Sequence, residues 1–332
     1  MRLTGLLAAA ILLIASPASA SNVGFQQLRI PDGTQKPLLI GIWYPTDAAP
    51  MPHPLGLFIQ DVAADAAPSA GSHPLVVISH GTGGTFEGHY DTALALAHAG
   101  FVVASVSHTG DTYDDQSQAV AIWTRSGHIH RLIDYVVTEW MGRERVDADR
   151  VGVFGFSAGG LTALVVAGGT PNLSRVGPQC QAHPRYFECG VISRAHVDVG
   201  VLAAGQPASV WVHDPRIKAA VVAAPALGYT FGAEGLKDVR VPVQLWRAED
   251  DHILPHPDYA EAVRKTLPTP PEFHLVENAD HFDFLAPCSD GLKHAAPDIC
   301  VSRPGFDRTL FHKQFDAEVV RFFEKTLGAP TP

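Results

Sequence analysis

Residues Arg150-Val151-Gly152-Val153-Phe154 run straight into Gly155-Phe156-Ser157-Ala158-Gly159-Gly160, and this join constrains the fold more than any other stretch of the chain. An apolar run with no polar face is what a strand buried on both sides presents. A serine with glycines two positions before and after it suits a sharp strand-to-helix turn, where bulkier neighbours would clash. Such a turn lifts the hydroxyl above the sheet. The helix behind it aims free N–H groups at negative charge that develops on a bound carbonyl. Ser157 is therefore the candidate nucleophile.

The rest of the chain supplies the sheet this turn requires. Residues 74–79, 101–106, 217–223 and 241–246 repeat the apolar character of 151–156, as expected of buried parallel strands. Between them lie helical stretches, the clearest with Ile129, Leu132, Ile133, Val136, Val137 and Trp140 on one stripe and Arg131, Asp134 and Glu139 facing water. Residues 23–30 and 38–44 read as short strands joined by Pro31-Asp32-Gly33, followed by a loose stretch to about residue 73. A final amphipathic helix is expected over residues 306–327. The expected fold is α/β: one domain over residues 21–332, with a mostly parallel central sheet covered by helices on both faces. Residues 169–215 break the rhythm with many Gly, Pro and His, and an insertion of that length often caps a site.

Composition narrows partners and compartment. With 46% hydrophobic and 17% charged residues, the 332-residue chain can bury a substantial core. A formal net charge of -10 argues against nucleic acid or an anionic membrane surface as the main partner. Residues 1–20 read as a secretory signal: Arg2 opens it, residues 6–14 are apolar, and Ala18-Ser19-Ala20 offers a small-residue cleavage site. The apolar stretch is shorter than the ~20 residues a bilayer requires, so export to the periplasm or medium is expected rather than anchoring. In an oxidising compartment the four cysteines can pair. The local pairings, Cys180 with Cys189 and Cys288 with Cys300, are favoured because each closes a short loop with little core of its own. No spacing typical of a metal site is present, and no metal or cofactor is expected.

A serine hydroxyl is a weak nucleophile until a histidine takes its proton, and that histidine needs a carboxylate to hold its tautomer. Strand 241–246 runs into Arg247-Ala248-Glu249-Asp250-Asp251-His252-Ile253-Leu254-Pro255, which sets acidic side chains where a loop opens. Residues 272–276 form a strand that leads to Asn278-Ala279-Asp280-His281-Phe282. His281, just past the last core strand, is favoured over His252 and His274 as the base.

Residues 74–327 resemble an α/β-hydrolase of the dienelactone hydrolase and platelet-activating-factor acetylhydrolase-like group. The resemblance rests on His80-Gly81-Thr82-Gly83-Gly84, similar to the family's oxyanion loop. It continues in Ala97-His98-Ala99-Gly100-Phe101-Val102-Val103, Ser107-His108, the Gly-x-Ser-x-Gly turn and His281-Phe282-Asp283-Phe284-Leu285. Ile42-Trp43-Tyr44-Pro45 is typical of exported members. The resemblance implies Ser157 as nucleophile, His281 as general base, and the N–H groups of Thr82 and Ala158 as the oxyanion hole. The family pattern Asp-x-x-[Val/Leu]-Pro matches Asp251, with Asp250 as the alternative acid. Vertebrate acetylhydrolases take their acid one strand earlier, where this chain has Ala224-Pro225-Ala226. Dienelactone hydrolases proper carry a cysteine where this chain has Ser157, which shifts the expectation from lactones to a serine esterase. The expected function is hydrolysis of small carboxylic esters with short acyl chains. The alternatives are an amidase or peptidase with the same triad, or an exported binding protein on a hydrolase shell.

Overall fold

The computed structural model describes residues 21–33, 35–198, 200 and 206–329; the expected export signal at residues 1–20 lies outside the described residues. Its strands are β1 Asn22–Asp32, β2 Gln35–Thr46, β3 Met51–Leu55, β4 Phe58–Ala64, β5 His73–Ser79, β6 Val102–Ser107, β7 Val146–Phe156, β8 Ile217–Ala223, β9 Val243–Ala248 and β10 Glu272–Val276. Its α-helices are α1 Tyr90–His98, α2 Thr124–Thr138, α3 Ala158–Val166, α4 Val176–Ala182, α5 Phe187–Arg194, α6 Gly232–Leu236, α7 Ala260–Thr266, α8 Asp290–Ala295 and α9 Arg308–Leu327.

The strands form one mixed sheet in the order β10-β9-β8-β7-β5-β6-β2-β1-β4-β3. From β10 to β6 every neighbouring pair is parallel, and β2 then runs antiparallel to both β6 and β1. Successive side chains of a strand point to opposite faces, so an apolar run feeds two cores. On β5, Leu75 and Val77 join a core with Ile129, Leu132 and Val136 of α2 and Leu161 of α3. Val76 and Ile78 join the other face, packed with Leu96 of α1 and Phe315, Val319 and Phe322 of α9. Each of these buried side chains contributes roughly 1.5–3 kcal/mol against exposure.

The stretch expected to be loose up to residue 73 contains the β3–β4 hairpin. Phe58, Gln60 and Val62 are buried while Ile59 and Asp61 are exposed. Gln60 belongs inside because its Oε1 accepts the Trp43 indole N–H at 2.7 Å. Pro52 and Pro54 sit on β3, the outermost strand, where the missing N–H groups are tolerated. The final helix starts at Arg308 rather than at residue 306, because the Asp307 side chain caps it by accepting the Leu310 N–H at 2.9 Å. No helix among the described residues is long and apolar enough to cross a membrane.

Candidate active site

In an open parallel sheet, ligands bind in the crevice beyond the carboxyl ends of the strands. Three loops at that edge carry the candidate residues: Ser157 follows β7, Asp251 lies just past β9, and His281 opens a short 3-10 turn beyond β10. The intervening strand β8 also takes part, since its last residue Ala223 accepts the Ser157 N–H at 2.9 Å.

Ser157 has φ 55° and ψ -117°, in the region L-residues avoid. A side chain at either flanking glycine would block this turn: a Cβ on Gly155 would lie 2.0 Å from the Gly159 carbonyl oxygen, and one on Gly159 would lie 1.9 Å from that of Ser79. The Ser157 carbonyl oxygen holds the turn by accepting N–H groups from Gly160, Leu161 and Ala226. Ala158 is the first residue of α3, so its N–H has no partner within the helix.

The Ser157 hydroxyl lies 3.1 Å from His281 Nε2, and His281 Nδ1 lies 2.8 Å from Asp251 Oδ2. The other Asp251 oxygen accepts the N–H groups of Ile253 at 3.0 Å and Leu254 at 2.7 Å, which fixes the carboxylate toward the imidazole. With Nδ1 donating to Asp251, Nε2 is left as an acceptor for the serine proton. All three side chains are buried, and the imidazole packs against Phe156 with ring centroids 4.8 Å apart.

The competing residues are engaged elsewhere. Asp250 is paired with Arg303 at 3.1 Å. His252 is exposed and donates to Asp280, and His274 is stacked on Trp246 at 3.9 Å.

The loop that carries Thr82 is held from below. Arg125 donates to the carbonyl oxygens of His80 at 2.6 Å and Gly81 at 3.3 Å, and it grips Asp111 through Nε at 3.0 Å. Asp111 in turn accepts the Gly83 N–H at 2.9 Å. His80 donates from Nδ1 to the Gly81 carbonyl oxygen and accepts the His108 N–H at Nε2. Burial, reinforced by the Arg125 charge, pushes both His80 and His108 well below the usual imidazole range, so they are neutral struts. This brace was missed from sequence although α2 carries a signal: Arg125 falls on the same helical stripe as Ile129, Leu132 and Val136, where a charge needs a buried partner.

Thr82 and Ala158 border one cavity of about 570 Å³ including its mouth, walled mostly by apolar side chains. Leu173, Val176, Phe187, Glu188, Val191 and Ile192 of the irregular segment 169–215 form one side of it. Cys180 and Cys189 are bonded within that segment, and Cys288 and Cys300 are bonded near the His281 turn. Arg308 ties the second bridge to the turn, donating to the Asp283 carboxylate at 3.0 Å and to the Ile299 carbonyl oxygen at 2.9 Å. Among the described residues, two three-donor groupings, Asp91 with His312 and Asp316 and Glu272 with His274 and Glu318, could each hold a cation; neither includes Ser157, His281 or Asp251.

Residues 62–204 match the model of the Dienelactone hydrolase family, a span that includes Ser157 and ends before Asp251 and His281. No curated relative matches the sequence. Among solved structures, a ferulic acid esterase from Streptomyces cinnamoneus is similar at TM-score 0.63, over 96% of this chain and 94% of that one, with 20% sequence identity. At that identity the likeness is one of fold.

Proposed function

Taking the chain as an α/β-hydrolase of the dienelactone hydrolase kind, we propose that it hydrolyses carboxylic esters with short acyl chains through a serine acyl-enzyme. One observation carries this reading: Ser157, held at positive φ beside an apolar cavity, forms a continuous hydrogen-bonded chain with His281 and Asp251. His281 Nε2 takes the Ser157 proton as Oγ attacks the ester carbonyl, and Asp251 stabilises the imidazolium. The carbonyl oxygen becomes an oxyanion that rests on the N–H groups of Thr82 and Ala158. His281 then returns the proton to the leaving alcohol. A water then takes the place of the departed alcohol and attacks the acyl carbon as His281 Nε2 accepts its proton; that proton passes to Ser157 Oγ as the acid leaves.

The segment at residues 169–215 serves as a cap on this reading, because α4 and α5 supply one wall of the cavity. The ferulic acid esterase likeness is in keeping with an ester substrate. Export fits the same reading, since two internal disulfides persist in an oxidising compartment.

The test is turnover of para-nitrophenyl esters with acyl chains from two to twelve carbons by the protein and its Ser157→Ala variant. Rates should peak at short chains and fall roughly 10³- to 10⁶-fold in the variant. Equal rates in both proteins, or hydrolysis of anilides but of no ester, would overturn the ester reading.

A further inference from the structure

Among the described residues that line the cavity, Glu188, on α5, brings the one carboxylate to a wall otherwise built from side chains such as Val176, Phe187, Val191, Ile192 and Leu254. It is 9% exposed, and burial pushes its carboxyl above the usual range. Its side-chain partners are phenols, and its own backbone N–H also hydrogen-bonds the carboxylate. Oε1 accepts the O–H groups of Tyr229 and Tyr259, each at 2.9 Å, and the Tyr259 hydroxyl lies 2.9 Å from Oε2 as well. A carboxylate offers about four lone-pair sites, and two phenolic protons with one backbone N–H leave room for a further donor.

A second carboxylate belongs to the same tyrosine cluster. Asp258 accepts Tyr186 O–H at 2.8 Å and the Gln179 amide at 3.1 Å, and the Tyr186 and Tyr229 rings both pack against that of Tyr259. Among the described residues no Lys, Arg or His pairs with Glu188 or Asp258; Arg175 donates instead to the Tyr229 carbonyl oxygen at 3.0 Å. A buried carboxylate without a cation is costly to keep. Two tyrosine hydroxyls could be satisfied by a neutral amide or by carbonyl oxygens, so packing alone does not call for a charge here.

We propose that this cavity takes a substrate arm ending in a protonated amine, with the Glu188 carboxylate as its acceptor and the apolar wall covering the methylenes between the amine and the ester. The inference rests on the ester-hydrolase reading and deepens it by naming amine-bearing esters as the substrate class. An ammonium supplies both a donor for the carboxylate's remaining site and the positive charge that the cluster lacks. A hydroxyl would supply only the first, and a methyl group neither.

The experiment compares n-butylammonium chloride with 1-butanol as competitive inhibitors of para-nitrophenyl acetate hydrolysis at fixed ionic strength. A calorimetric titration of each probe into the same protein runs alongside. Butylammonium should bind more tightly than butanol by on the order of tenfold or more, and Glu188→Gln should abolish that difference. Equal binding, tighter binding of butanol, or a preference that survives in Glu188→Gln would each overturn the proposal. The ratio in the unaltered protein decides on its own, so a poorly folded variant does not rescue the idea. Calorimetry separates the two readings: butylammonium bound without any ester turnover sinks the esterase and keeps the site, whereas turnover without a preference for butylammonium does the reverse.

Discussion

Asp250 and Asp251 are adjacent in the chain and opposite in surroundings. Asp251 is buried, its Oδ1 bound by two backbone N–H groups and its Oδ2 directed at His281. Asp250 reaches outward to a half-exposed Arg303, in an ion pair of the kind worth about 0–1 kcal/mol. Asp251→Asn should leave the fold intact but favour the wrong imidazole tautomer, cutting kcat on a short para-nitrophenyl ester by about 10⁴-fold. Asp250→Asn should change kcat by about twofold or less, as expected of a surface position. Steady-state rates on both variants check this, and a large loss in Asp250→Asn with little in Asp251→Asn would reverse the assignment. At this scale what the sequence made legible is placement: a hydroxyl, an imidazole and a carboxylate in loops that follow strands, which the fold brings within hydrogen-bond reach. What it left open, Asp250 or Asp251, turned on which side chain the loop rotates inward, and that depends on the Ile253 and Leu254 amides.

Helix α2 does more than cover the sheet. Through Arg125 it fixes the loop that carries Thr82, and removing one partner of a buried ion pair leaves the other charge uncompensated. Asp111→Asn should therefore lower stability by about 3–5 kcal/mol in denaturant melts. It should also lower kcat more than it raises KM, because a looser Thr82 amide weakens oxyanion binding. Unchanged melting and kcat would show the pair to be dispensable.

The packing of α1 against α9 carries a pH dependence. Burial, with the Asp91 charge beside it, pushes the Asp316 carboxyl up to about 7 from an ordinary value of 3.8. The folded state thus holds a proton that the unfolded chain releases, so this group's contribution to stability declines as pH rises from about 4 to about 7. The Asp91 carboxylate, outweighing burial, raises His312, whose contribution is likewise lost as pH rises. Asp316→Asn should match the unaltered protein at pH 4 and melt higher at pH 8. A melting difference that stays constant with pH would contradict this account. The elements themselves were readable where apolar runs or stripes were unbroken, as in β5 and α2. The β3–β4 hairpin was not, because Pro52 and Pro54 read as loop and the polar Gln60 interrupts the inward row of Phe58 and Val62 on β4, a place explained only by Trp43 across the sheet.

For the molecule as a whole, the alternation of strands and helices along the sequence carried the α/β architecture, and the short loops predicted to close on disulfides do so. Less legible were contacts between segments far apart in sequence: Glu188 meeting Tyr229 and Tyr259, and Arg308 joining the Cys288–Cys300 loop to the His281 turn. Such contacts follow from how the loops gather over the sheet edge, which local periodicity does not encode. Replacing Cys288 and Cys300 together with serine should cost about 2–4 kcal/mol in chemical denaturation and weaken the support beneath His281.

Covalent catalysis at Ser157 underlies every rate prediction above. Its most direct test is rapid quenching of a reaction with para-nitrophenyl acetate, followed by peptide mass analysis to find the acetyl group. An early burst of nitrophenol and an acetyl group on the peptide that contains Ser157 are expected, and neither in Ser157→Ala. Burst and acetylation that persist in that variant, or an acetyl group found on another residue that turns over at the catalytic rate, would contradict it.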